Sequence, residues 1–255
     1  MILPVWLQAY LWGLIVGSGL LLGALVAYFS DLPHRAIAAV MGFGGGVLIS
    51  VLSFALMEEA YHNGGFTSTI AGFILGGAMF SGINWYLSKK GAKHRKRCAE
   101  CAPKPSGSDV GNRGLAMAIG ALMDAIPEAI IIGLNLIGGV MIGKVVLVGF
   151  FLANIPQGLS SVSGMKEAGR SAAYIFCVWG GITLLSGAAA VVGYTVFGNF
   201  SIKVVASTSA LAAGSVLAML AETMIPEAFE KAQNFIGLIT VAGFLTIFLL
   251  TKIGS

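Results

Sequence analysis

Two pairs of polar side chains stand against an apolar background. Asp124 and Glu128 lie four residues apart in MDAIPEAI, inside a stretch from Leu115 through Leu136 that contains no Lys or Arg. Asn154 and Gln157 lie three apart in ANIPQG. Either spacing puts both members of a pair on one face of a helix. Each pair brackets a proline, which has no N–H to give and displaces the carbonyl four residues earlier. Pro127 is therefore expected to loosen the Met123 carbonyl and Pro156 that of Leu152. A further acid, Glu222, stands in the same relation to Pro226 in AETMIPEA. The chemistry on offer is oxygen coordination by carboxylates, amides and loosened backbone carbonyls at one depth. An acid at the centre of a bilayer helix costs about 2.5–3.5 kcal/mol on insertion scales. No Lys or Arg lies inside these three segments, so the compensation must come from an imported cation or from bound protons.

The elements that carry these residues read as membrane spans. The chain is 57% hydrophobic and only 10% charged, where a soluble domain carries about 25% charged residues; its mean hydropathy is +0.89. Apolar runs of spanning length give eight expected helices at 6–29, 36–58, 67–87, 114–137, 144–165, 171–197, 204–226 and 234–252. The first lacks the basic start and short apolar region of a cleaved signal and is expected to stay as a helix. The sequence pI is near 9.0, yet eight of the fifteen Lys and Arg lie between Lys89 and Arg113. That concentration is a membrane-orientation signal and excludes a nucleic-acid-binding face. Residues 88–113, rich in charge, Gly, Pro and Ser, are expected to form a flexible cytoplasmic loop within a single transmembrane domain, 1–255. With that loop inside, Arg35, Lys166, Arg170 and Lys231 also fall inside and Lys144, Lys203 and Lys252 outside. Both termini are then extracytoplasmic. Cys98, Cys101 and Cys177 make no even disulfide framework and are expected to be reduced.

Two internal repeats follow. GVLISVLSFALMEEAY in the second span aligns with GSVLAMLAETMIPEAF in the seventh, matching Gly46 to Gly214 and Glu59 to Glu227. An inverted repeat of spans one to three on spans six to eight would produce that match. DAIPEA at 124–129 likewise matches ANIPQG at 153–158. Glu58, Glu59, Glu227 and Glu230 are expected at the water interface, and the glycine-rich faces of the first two spans in close helix packing.

On these residues the chain resembles the ZIP family of divalent metal transporters. The shared features are eight spans, external termini, a cytoplasmic loop between spans three and four, a 3+2+3 arrangement, and an I-P-E/Q step on spans four and five. The resemblance implies an all-α polytopic transporter of the plasma membrane. It also implies a midplane metal site on helices four and five, a homodimer, no enzymatic activity and no organic cofactor. Aligned on the prolines, Asp124 takes the place of the family's first His, Ala125 that of an Asn and Glu128 that of a Glu. On span five Ala153 replaces a His, Asn154 is retained and Gln157 replaces a Glu. Asp124, Glu128, Asn154 and Gln157 are thus the expected metal ligands, with Glu222 as a third-helix ligand or gate. Zn²⁺, Mn²⁺ and Fe²⁺ are the expected substrates. His34, His62 and His94 all fall in expected loops, so the site is one of oxygen donors. Such a site favours harder ions such as Mn²⁺ over Zn²⁺, and a single metal over a pair. His94, Cys98 and Cys101 offer three ligands of a cytosolic clip, against the plainer reading of a solvated basic loop. The alternative from another class is a non-transporting sensor or assembly subunit derived from the same fold. An intramembrane enzyme is disfavoured because Ser160, Ser161 and Ser163 have no His partner.

Overall fold

The computed structural model describes residues 3–89, 122–123, 125–137, 143–167, 169–232 and 235–253. Asp124 and most of the basic loop, with His94, Cys98 and Cys101, lie outside them. The described chain is helical, with no strand among the described residues. It comprises α1 (Val5–Phe29), α2 (His34–Val51), α3 (Met57–Lys89), α4 (Ala125–Leu134), α5 (Lys144–Glu167), α6 (Ala172–Phe197), α7 (Ile202–Met219), α8 (Ile225–Ala232) and α9 (Ile236–Ile253). Six helical runs among the described residues are long and apolar enough to cross a membrane, and α4 is a shorter apolar helix. The molecule is a multi-pass membrane protein.

One of those runs, 34–86, is 53 residues long. At about 1.5 Å per residue it could not lie straight across a hydrocarbon core of about 30 Å. Gly65 breaks it, with φ 75° and ψ 174°. A Cβ there would meet nothing within 4 Å, so glycine is needed for the backbone conformation and not for room. The loop expected between spans two and three is thus reduced to this one residue, and His62, expected in it, is helical.

The Gly46–Gly214 alignment has a counterpart in the packing, whereas the 124–129 and 153–158 match does not. Helices α2 and α7 each run into a single π-helical turn, at Leu52–Leu56 and Leu220–Met224. These turns occupy equivalent places in the Gly46–Gly214 alignment. The contacts repeat as well. Gly46 lies against the Thr240 carbonyl and the Phe244 amide, as Gly214 lies against the Phe73 carbonyl and the Gly77 amide. Gly243 meets the Phe43 carbonyl, as Gly76 meets that of Leu211. One packing unit therefore occurs twice, as α2 on α9 and as α7 on α3. A second unit joins α5 to α1 through Gly158 on the Leu20 carbonyl and Gly23 on that of Ile155. It joins α4 to α6 through Gly133 on the Ala190 carbonyl and Gly193 on that of Ile130. These contacts pair Gly158 with Gly133. The sequence repeat pairs Gly158 with Ala129, one helical turn away, so the repeated I-P steps do not superpose in the packing. The reason is physical: backbones approach closest where a Cβ is missing, and glycine positions set the register.

Helix α5 is the innermost of the long helices, with 72% of its most apolar window buried against 17% for α9.

Candidate functional site

The neighbours of α5 define its three faces. Gly19 and Gly23 of α1 press on Phe151 and Ile155, while Gly44 and Val51 of α2 press on Pro156 and Gly149. The remaining face carries Phe150, Asn154, Gln157 and Ser161 at helical spacing, and all four are buried. On α4 the logic is the same. Ile130 and Gly133 face α6, and Glu128, Ile131, Ile132 and Asn135 lie on the opposite side. All four are buried, with Glu128 only 1% exposed. An acid so far from solvent in an apolar helix is the clearest chemical feature of the fold.

Asn154 is held in one orientation. Its Nδ2 donates to the Val16 carbonyl of α1 at 3.1 Å; turning the amide over would set two oxygens against each other. The oriented Oδ1 is buried and accepts no hydrogen bond among the described residues. Gln157 is also buried, with Nε2 lacking an acceptor among the described residues. Among the described residues no backbone hydrogen bond fixes that amide, and rotating it presents oxygen instead of nitrogen. An unsatisfied buried polar atom costs about 1–3 kcal/mol. Asn154 presents an acceptor, which suits a cation.

The third-helix acids exchange roles. Glu222, in the π-helical turn after α7, is exposed and sits at the seam with α3, where Ser81 Oγ and Asn84 Nδ2 donate to its two oxygens, the latter at 2.7 Å. Glu227, expected at the water interface, is instead 6% exposed, and Ser160 of α5 donates to its Oε1. Glu227 follows Glu222 by five positions, a step that on a helix points the two acids to different sides, and the acid that reaches α5 is Glu227. Glu58, Glu59 and Glu230 are exposed, in keeping with an interfacial position.

Among the described residues no three His, Cys, Asp or Glu side chains group closely enough to hold a metal. A site here rests on Glu128 with neutral oxygens, to which Asp124 lies adjacent in sequence. Sequence reasoning passed over Asn135, one heptad beyond Glu128 and just past the end of α4, where the same stripe continues. Its Nδ2 donates to the Ile131 carbonyl at 2.9 Å. The i, i+7 spacing was the available signal.

At one end of the bundle, Lys166 Nζ donates to Asp31 Oδ1 at 2.7 Å and to the Tyr28 carbonyl at 3.1 Å. His34 Nε2 lies 3.8 Å from Glu167 Oε1. Asp31, His34, Lys166 and Glu167 line a cavity of about 250 Å³ with Ser30 and Ser163. The Lys166 hydrogen bond and its charge hold the Asp31 carboxyl below the usual carboxylate range.

The chain matches no protein-family model and no curated protein by sequence.

Proposed function

We propose that this chain is a plasma-membrane transporter of divalent metal cations, built as eight spans in a 3+2+3 arrangement with both termini extracytoplasmic. The observation that carries the reading is the Asn154 amide, whose donor is tied to Val16 and whose buried oxygen is left without a donor among the described residues. The polar faces of α4 and α5 support it. Asn154 meets α1 at one edge of its face of α5, and the Glu128 face of α4 is taken to cover the rest of that face. Asp124 and Glu128 then supply negative charge and Asn154 and Gln157 neutral oxygens, a donor set for Mn²⁺ or a similarly hard ion. The duplicated packing units of α2–α9 and α3–α7 support an inverted repeat that alternates access to the site. By resemblance to the ZIP family the assembly is a homodimer in lipid, with the metal as cargo, no organic cofactor and no covalent reaction.

The test is Mn²⁺ uptake by purified protein in liposomes. Glu128→Gln should reduce uptake about tenfold or more while the protein still folds. Uptake equal to wild type in that variant would end the assignment. A wild type that moves neither Mn²⁺ nor Zn²⁺ would favour the non-transporting sensor or assembly subunit, a reading to which the lack of a three-acid cluster among the described residues lends support.

A further inference from the structure

Two consecutive carbonyls of α1 accept hydrogen bonds from different helices. Val16 takes the Asn154 Nδ2 of α5 at 3.1 Å, and Gly17 takes the Thr183 hydroxyl of α6 at 3.1 Å. A helical threonine ordinarily satisfies its hydroxyl on its own helix, as Thr183 also does on the Trp179 carbonyl at 2.9 Å. Successive carbonyls lie about 100° apart around a helix, so the two bonds between helices together fix the rotation and the height of α1. Missing side chains let α1 come this close on both sides. Toward α6, a Cβ at Gly17 would stand 3.2 Å from the Thr183 Cα, and one at Gly13 would stand 2.7 Å from the Ser186 carbonyl oxygen. Toward α5, a Cβ at Gly19 would stand 2.5 Å from the Phe151 carbonyl oxygen and 3.0 Å from the Asn154 Cβ. Val16 and Asn154 are each 2% exposed, so bulk water does not compete for the amide. With Nδ2 engaged on α1, the atom left over is the buried Oδ1, which has no donor among the described residues.

We propose that Gly19 and Thr183 are positioning residues for the metal ligand Asn154: they seat α1 so that the Val16 carbonyl holds the amide with its oxygen free for the ion. This deepens the carrier reading and rests on it. An asparagine free to turn over would present its N–H groups to a cation in one of its two orientations. A carbonyl on the donor side removes that orientation before the ion arrives, because the flipped amide would set oxygen against oxygen. The effect also runs in reverse. A cation on Oδ1 polarises the amide and makes Nδ2 the stronger donor to Val16. By linkage, a bound ion then tightens α1 on α5 by the factor with which a seated α1 tightens the ion. Gly19 acts by having no side chain, and Thr183 acts on α1 from the α6 side.

The experiment is equilibrium Mn²⁺ binding to the full chain in detergent, read by electron paramagnetic resonance of free Mn²⁺ and arranged as a double-mutant cycle. Gly19→Ala should weaken Mn²⁺ binding about tenfold. Thr183→Val, close in shape and set on the α6 side of α1, should weaken it about fivefold. Asn154→Asp puts two equivalent oxygens on the side chain, so the orientation that Val16 imposes no longer matters. In that background Gly19→Ala should change Mn²⁺ affinity by less than about twofold. A residue that only supports the fold would cost the same in both backgrounds. If Gly19→Ala fails to fold, Thr183→Val carries the same comparison. Three results would each overturn the positioning: unchanged affinity in the single variants, an equal loss in the Asn154→Asp background, or no Mn²⁺ on Asn154→Asp with or without the second change. The carrier reading stands in each case when Glu128→Gln loses the ion that wild type binds. A wild type that binds no Mn²⁺ would overturn both.

Discussion

At the scale of single residues, Asn154 offers a test in which stability and function should part. In the empty protein its buried Oδ1 is an acceptor without a donor among the described residues, so an apolar side chain of similar shape removes a cost as well as a ligand. Asn154→Leu should leave the thermal stability of the metal-free protein within about 1 kcal/mol of wild type. The stabilisation on adding Mn²⁺, about 2.7 kcal/mol at a hundredfold excess over Kd for one site, should vanish. A large loss of metal-free stability would mean that the Asn154–Val16 hydrogen bond is structural and the oxygen incidental. Ligand type makes a second residue-scale prediction. Asp124→His replaces an oxygen donor with imidazole and should shift relative uptake toward Zn²⁺. Unchanged competition between Mn²⁺ and Zn²⁺ would remove Asp124 from the ligand set. Asp31 supplies the pH dependence. Its carboxyl is held below the usual range by Lys166, so the pair's contribution is present above the ordinary carboxylate pKa and disappears as pH falls through the lowered value. Because Asp31 is fully exposed, salt screens the pair as well. Asp31→Asn should therefore matter only at low ionic strength, as read from the melting temperature at two salt concentrations near neutral pH.

Among the elements, glycine positions decide which helices touch. A Cβ at Gly46 would stand 2.8 Å from the Phe244 amide nitrogen, and one at Gly214 would stand 2.9 Å from the Phe73 carbonyl carbon. Gly180 has nothing within 4 Å. Gly46→Ala and Gly214→Ala should each cost about 1–3 kcal/mol through overpacking, and by similar amounts because they occupy equivalent places. Gly180→Ala should be neutral or stabilising by up to about 1 kcal/mol. Melting temperatures of the three variants in detergent check this. Equal tolerance at all three positions would mean that the close contacts are not limiting.

For the whole molecule, the proposed orientation rests on where the basic residues lie, and it can be read with thiol reagents in intact cells. An impermeant maleimide should label a cysteine placed at Ser255 and leave Cys98 and Cys101 unlabelled until the membrane is opened. The reverse pattern would invert the topology. Much of the architecture was legible in the sequence because a bilayer leaves a chain few options. Backbone polar groups must be paired within each segment, so a long apolar run can only be a helix, and the expected spans fall on α1, α5, α6 and α9 to within a few residues. The buried acid at Glu128 was legible for the same reason, as a costly residue that needs a cause.

The tertiary structure decided matters that depend on angles around helices and on the absence of side chains. Hydropathy is blind to one inserted residue, so it could not show the π-helical turns at Leu52–Leu56 and Leu220–Met224. Nor could it show that Glu222 meets α3 and Glu227 meets α5. Sequence alignment paired the two I-P steps, whereas contacts through Gly133 and Gly158 set the packing register a turn away. By itself the sequence determined that apolar helices would enclose a few carboxylates and amides. Which of them share a face with which neighbour was settled by close packing, because backbones meet where glycine permits and every other side chain then takes the direction that its helix leaves it.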